Sequence, residues 1–401
     1  MQLRPAEKGL LISGAALIAL VGAYGLGVWW SRHAPLPEPP EEQPLELEAL
    51  SGAVAGFRCV EGAEVGCREQ LIFHGLRRYG EASRRVWAGK YRFDAWPLCL
   101  VYGIDEDAFA GYLIRPRAVP SGATRLGAAG AQGLGAVYRY DGMVRRAVEQ
   151  SNGAYAHDFQ VEGERCPMVF YSHADAQAMA DGSRGWLNTA LHETFHAYQD
   201  EAWAPTGWIQ DAAGYPTTAP VLALSLLEMR IALAAAQTDE RGELRRLLGM
   251  AVAARARKIA VDPTGLVERM DNGQEHGEGT ARYVELAVQE ALEPGARRRA
   301  HVGELEVMLG SLDAAPLARS FLTWGMWYET GGIMVWTLER LGVSVVSEVE
   351  EGRSPWEVAR GALNLSEEEQ AAALDAAWTR FGRSRLEAEA SRLAEMMEVE
   401  R

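Results

Sequence analysis

Cysteine is scarce in this chain, with four in 401 residues: Cys59, Cys67, Cys99 and Cys166. Their spacing matches no zinc ribbon, which excludes a cysteine-held structural metal of that kind. A block of lysine and arginine is also lacking. Acidic residues outnumber basic ones 55 to 40, for a net charge of −15. The chain therefore carries no electrostatic footprint for a nucleic acid, and no such partner is expected. No internal repeat is present, which excludes a solenoid. What remains is ordinary globular composition, 48% hydrophobic and 24% charged. The length accommodates two domains, or one large domain with subdomains.

Charge is missing altogether from "GLLISGAALIALVGAYGLGVWW", Gly9 to Trp30. Such a segment can cross a bilayer core of about 30 Å as a helix. Arg4 and Lys8 precede it, and Trp29 and Trp30 close it at interfacial depth. "VWWSRHAP" offers no small-residue cleavage site, so an uncleaved signal anchor is expected rather than a signal peptide. Residues 1–8 are then cytoplasmic, residues 9–30 span the membrane, and the rest lies outside, periplasmic or at the cell surface in a bacterium. Residues 31–55, with "APLPEPPEEQPLELEAL", form an extended Pro/Glu-rich linker. All four cysteines fall on the far side of the membrane, where disulfides persist. "CVEGAEVGC" can close a short loop between Cys59 and Cys67, leaving Cys99 with Cys166. Four cysteines allow three pairings, spacing does not choose among them, and free buried thiols are the alternative.

The remainder is expected to be an α+β protein. Its first part is a small, mainly antiparallel sheet subdomain over 56–173, and its second a mainly helical subdomain over 174–401. "CREQLIFHGLRRYGEASRRVW" has helical periodicity. The short runs "PLCLVYG", "FAGYLI", "GAVYRYD", "AHDFQVEG" and "CPMVFYSH", punctuated by Gly, Pro and Asp, predict strands. Beyond Ala174 helices dominate. "VLALSLLEMRIALAAAQ" and "GELRRLLGMAVAARARKI" are long ones joined by a polar turn, and others are expected over 278–292, 315–342, 355–361 and 366–398.

The chemistry is concentrated in "WLNTALHETFHAYQDEAW", Trp186 to Trp203. On a helix, residues four apart share a face, so His192 and His196 can point two imidazoles at one ion. Glu193 follows the first directly, placed to take a proton from water at that ion. Leu187, Leu191, Phe195 and Tyr198 form an adjacent stripe that can anchor the helix. A catalytic zinc needs a third protein ligand. "HAYQDEAWAP" lacks the Gly and third His of the metzincins. "NGQEHGEGTARYVELAVQEAL" supplies a carboxylate: Glu278, between Gly277 and Gly279 at what is expected to be a helix start, with Glu275 and His276 as competitors. Gly279 is expected to let this helix approach the histidine helix closely. In "WYETGGIMVWTLERLG", Tyr328 precedes two glycines and an apolar helix, where a phenol could donate to an oxyanion.

Together the three segments resemble the gluzincins, zinc metallopeptidases with a thermolysin-like catalytic domain, and most of all the branch that contains the aminopeptidases. "HETFH", "GEGTARYVE" and "YETGGIMVWTLERLG" stand in the same order as that branch's zinc helix, glutamate-ligand segment and tyrosine segment. The resemblance implies Zn²⁺ as cofactor, held by His192, His196 and Glu278. It also implies Glu193 as general base, Tyr328 as oxyanion donor, and a peptide or protein substrate. It further implies that a strand before the zinc helix pairs with the substrate backbone, for which "CPMVFYSH" is the counterpart. Three departures stand beside it. Glu278 follows His196 by 82 residues, far more than in typical aminopeptidases. Thr330 replaces the lysine of the tyrosine motif, and no Gly-x-Met-Glu-Asn segment precedes His192. Terminal specificity therefore does not follow. The rival reading is a non-catalytic, peptidase-like scaffold at the membrane surface.

Overall fold

The computed structural model describes residues 52–103, 108–151, 155–206 and 214–399. The expected cytoplasmic segment, membrane anchor and all but the end of the linker lie outside the described residues. Among the described ones, the chain is mostly helical with a small mixed sheet, an α+β architecture. The folded part begins earlier than residue 56: Gly52–Val54 form a 3-10 turn in which Ala53 and Val54 are buried.

The described residues divide into two compact units: those up to Gly75 with those over Trp96–Glu193, and those over Leu76–Ala95 with those from Thr194 onward. The expected boundary at 173/174 therefore moves to 193/194, and 76–95 joins the helical unit. Two of the three dividing points fall inside continuous helices, Cys67–Ser83 and Gly185–Ala202, whose unbroken periodicity gives no boundary signal.

In the first unit the strands are β1 (Leu98–Tyr102), β2 (Ala110–Ile114), β3 (Thr124–Arg125), β4 (Val137–Arg139), β5 (Tyr155–Ala156), β6 (Gln160–Val161), β7 (Glu164–Arg165) and β8 (Met168–Tyr171). Six make one sheet in the order β3-β4-β2-β1-β8-β5, antiparallel except for the β1–β8 pair, and β6–β7 is a separate ribbon. Alternation sorts the side chains. Cys99, Val101, Leu113, Met168 and Phe170 meet Val144 and Ala147 of the short helix Val144–Gln150 in one core. On the opposite face Tyr112 meets Phe73 edge-on, and Tyr102 stacks on Tyr171. Cys59 pairs with Cys67 and Cys99 with Cys166, so of the three pairings the sequence allows, the fold selects the one with the short loop.

The second unit is built on the helical hairpin Ala219–Gln237 and Arg241–Val261. Glu240 caps the second helix by accepting from the Gly242 and Glu243 amides at 2.8 and 2.7 Å. The first helix is apolar along most of its length, and most of it is buried inside the protein. Against it pack Ala296–Gly310, Met326–Arg340, Glu367–Phe381 and Arg383–Val399, whose apolar residues share its cluster. The helix Ala296–Gly310 was not expected, because "ARRRAHVGELEVMLG" buries only Arg297, His301, Leu305 and Met308 and has weak apolar periodicity. The single run expected over 366–398 breaks into Glu367–Phe381 and Arg383–Val399 at Gly382, whose φ of 82° only glycine adopts without strain.

A group of charges is buried in this unit. Arg255 Nε donates to Glu228 at 2.6 Å and its Nη2 to Glu275 at 2.8 Å. Lys258 Nζ reaches Glu228 at 3.0 Å and Asp271 at 2.8 Å. Each charge meets an opposite one, which offsets much of the desolvation cost of burying it.

Candidate metal centre

The helix Gly185–Ala202 carries both histidines. Its position is set by its apolar stripe. Leu187 and Leu191 are fully buried, and Phe195 is boxed edge-on by Tyr91 and Trp87 at 5.0 and 5.4 Å. Thr194 Oγ1 lies 2.7 Å from Tyr91 Oη. Trp87 and Ala88 adopt left-handed backbone with φ of 54° and 53°, a costly conformation for non-glycine residues. They are held by stacking of Trp87 on Trp203 and by donation from Trp87 Nε1 to Glu350. Tyr198 and Lys90 donate to the same carboxylate.

Glu278 comes from a five-residue π-turn, Glu275–Gly279, and not from a helix start. The turn interrupts a helical run from Leu266 to Leu292. π-turns widen the backbone ladder locally and recur at functional sites. Here Thr280 Oγ1 donates to His276 O at 2.6 Å, satisfying a carbonyl of the turn. Gly279 does serve a close approach, but its partner is not the histidine helix. A Cβ at Gly279 would lie 2.7 Å from Gly331 Cα, on the helix Met326–Arg340.

His192, His196 and Glu278 each offer a ligand atom, and these atoms all lie within 4.8 Å of one another. His196 Nε2 is 3.2 Å from Glu278 Oε2. Their side chains are 16% and 13% exposed, accessible enough for exchange with solvent yet partly desolvated. Two neutral nitrogen donors and one carboxylate form a set able to hold a divalent cation. Glu193, immediately after His192, is 4% exposed.

The competitors for the third ligand are engaged elsewhere. Glu275 accepts from Arg255 and from Thr330 Oγ1, and burial pushes its carboxyl above the ordinary range. His276 Nε2 lies 2.8 Å from Val349 O and its ring meets Trp203 edge-on; burial lowers its pKa. Tyr328 lies half-buried on Met326–Arg340, one residue after Trp327, whose carbonyl would lie 3.0 Å from a Gly279 Cβ. The next residue, Glu329, does not face the metal group but is buried against Arg282 and His301 at 2.7 and 2.6 Å.

Two residues near the site were not singled out from the sequence. His157 Nδ1 lies 3.8 Å from Glu193 Oε2. It sits just past β5, in a stretch read only as a strand, and no spacing rule links it to Glu193. Gln199 touches both His196 and the π-turn. It could have been found, since it lies one helical turn beyond His196. The strand of "CPMVFYSH", β8, is paired with β1 along one edge and with β5 at Met168 and Val169 along the other. Comparisons with family models, with curated proteins and with solved structures found no match.

Proposed function

We propose that this chain is a membrane-anchored zinc metallopeptidase of the gluzincin type, with a thermolysin-like helical part, acting on a peptide or protein substrate outside the cytoplasm. One observation carries the reading. The ligand atoms of His192, His196 and Glu278 converge within 4.8 Å, on elements where Glu193 directly follows the first histidine. Three protein donors are the number a catalytic zinc uses, leaving a position for water or substrate. When bound, zinc supplies Lewis acidity toward a carbonyl oxygen and makes water more acidic.

The chain's own residues supply the rest. The Glu193 carboxylate takes a proton from the attacking water and returns it to the leaving amine nitrogen, as one group serving as base and then acid. Its burial at 4% exposure keeps bulk water from competing for that proton. The Tyr328 hydroxyl donates to the oxygen that becomes negative as the carbonyl turns tetrahedral. Two disulfides support an oxidising compartment, which agrees with an anchor at residues 9–30 and the bulk of the chain outside.

The test is elemental analysis of the full-length protein purified without chelator, followed by a peptide-library screen with Glu193→Gln as the blank. The expected result is one zinc per chain in both proteins, with hydrolysis reduced by about 10²–10⁴-fold in the variant. A folded protein with no metal would make the histidine pair incidental and favour the non-catalytic scaffold. Iron in place of zinc would point to two-His-one-carboxylate iron chemistry instead. Full hydrolytic activity in Glu193→Gln would refute the proton-transfer role.

A further inference from the structure

The amide of Gln199, 8% exposed, touches both elements that present metal ligands in the helical unit. Its Nε2 lies 2.9 Å from Gly277 O, the carbonyl just before Glu278, and 2.9 Å from Thr280 Oγ1. Its Oε1 lies 2.6 Å from His196 Nδ1. A carbonyl only accepts hydrogen bonds, so the amide nitrogen must face Gly277. That leaves Oε1, also an acceptor only, facing the imidazole. His196 Nδ1 must then donate, which leaves Nε2 as the nitrogen on the Glu278 side, 3.2 Å from Oε2.

We infer that Gln199 is a positioning residue that couples the two ligand-bearing elements: one arm sets the tautomer of His196, and the other holds the π-turn that presents Glu278. The inference rests on the metal reading above and adds a residue that touches neither ion nor substrate. A donated ring N–H on a metal-ligating histidine raises the basicity of the other nitrogen and fixes the ring plane, and losing such a partner typically costs about 10–100-fold in metal affinity. The Gly277 carbonyl also accepts from the Thr280 backbone amide and, at 3.0 Å, from Thr280 Oγ1, so the second arm adds to the turn's own bonds one that comes from the histidine helix.

The two arms can be separated. Gln199→Met keeps the shape and removes both. Gln199→Glu restores an acceptor to His196 but sets a carboxylate oxygen against the Gly277 carbonyl. Zinc affinity is measured on full-length protein by competition with a chelator. In parallel, the His196 Nδ1–H is followed by NMR in zinc-loaded protein with ¹⁵N-labelled histidine. Wild type should show a sharp, downfield Nδ1–H in slow exchange with water. Gln199→Met should lose that signal and bind zinc about 10–100-fold more weakly. Gln199→Glu should regain the signal while recovering only part of the affinity. A purely structural role for Gln199 would lower the melting temperature without this pattern. Unchanged zinc affinity in folded Gln199→Met, or no recovery of the proton signal in Gln199→Glu, overturns the inference alone. A wild-type protein that binds no zinc overturns it together with the metal reading.

Discussion

Replacing Gly279 with alanine probes how the turn bearing Glu278 is packed. The added Cβ would lie 2.7 Å from Gly331 Cα, 3.0 Å from Trp327 O and 3.1 Å from Gly331 C. All three are backbone atoms of one helix, so no rotamer change relieves the clash, and the two helices must separate. Two opposing terms set the magnitude. Gly to Ala within a helix gains about 1 kcal/mol in propensity. Overpacking a close contact costs about 1–3 kcal/mol, and a backbone-to-backbone clash belongs at the upper end. The net is a loss of about 2 kcal/mol. Gly303 is the internal control. It sits exposed on Ala296–Gly310 with nothing within 4 Å of an added Cβ, so Gly303→Ala should gain about 1 kcal/mol by propensity alone. Urea denaturation followed by circular dichroism reads both as shifts of the midpoint, in opposite directions. Zinc uptake adds a second readout. Separating the helices moves Glu278 relative to His196 Nε2, so Gly279→Ala should bind metal more weakly and Gly303→Ala should not. If Gly279→Ala were as stable as wild type, the Gly279–Gly331 contact would not be holding the π-turn and the argument would fail.

Two further outcomes follow from particular bonds. The disulfide Cys99–Cys166 spans 67 residues and Cys59–Cys67 spans 8. Loop-closure entropy makes the first worth about 4 kcal/mol and the second about 2.5 kcal/mol, so replacing the first pair with alanines should lower the unfolding free energy more; equal losses would contradict this. Asp262 accepts from the Thr264 amide and hydroxyl at 2.9 and 2.6 Å and from the Val267 amide at 2.8 Å. Burial pushes its carboxyl up, but these hydrogen bonds outweigh that and hold its pKa below the usual carboxylate value. A depressed folded-state pKa gives stability that is complete above the unfolded value and lost as pH falls through the folded one. Asp262→Ala should therefore be less stable than wild type by about 1–2 kcal/mol at neutral pH. That gap should shrink on acidification below about pH 4, where even the unfolded-state carboxyl is half protonated. A gap that stayed constant down to pH 2 would show that the charge of Asp262 contributes nothing.

The histidine helix was legible because its information is local: a four-residue spacing and an apolar stripe on one helix fix a shared face without reference to anything else. The short disulfide loop was legible only as one of three pairings, because spacing allows it without selecting it. Glu278 was legible as a residue but not as a geometry. Gly277 and Gly279 are poor helix formers, so local propensity predicts a helix start there. The contacts that carry the helix through as a π-turn come from Gly331, Gln199 and Thr280, and two of these lie far along the chain. The buried charges behave alike. Glu228, Arg255 and Asp271 sit on three different helices, and nothing in any one of them says that its partner lies on the next. His157 is the extreme case, placed 3.8 Å from Glu193 by a strand pairing that no motif encodes. Gln199 stands between these extremes. Its bond to His196 is a helical-turn contact that the sequence allows, while its bond to Gly277 is tertiary. The predicted split between Gln199→Glu and Gln199→Met therefore separates the part of this site that local sequence specifies from the part that only the fold supplies.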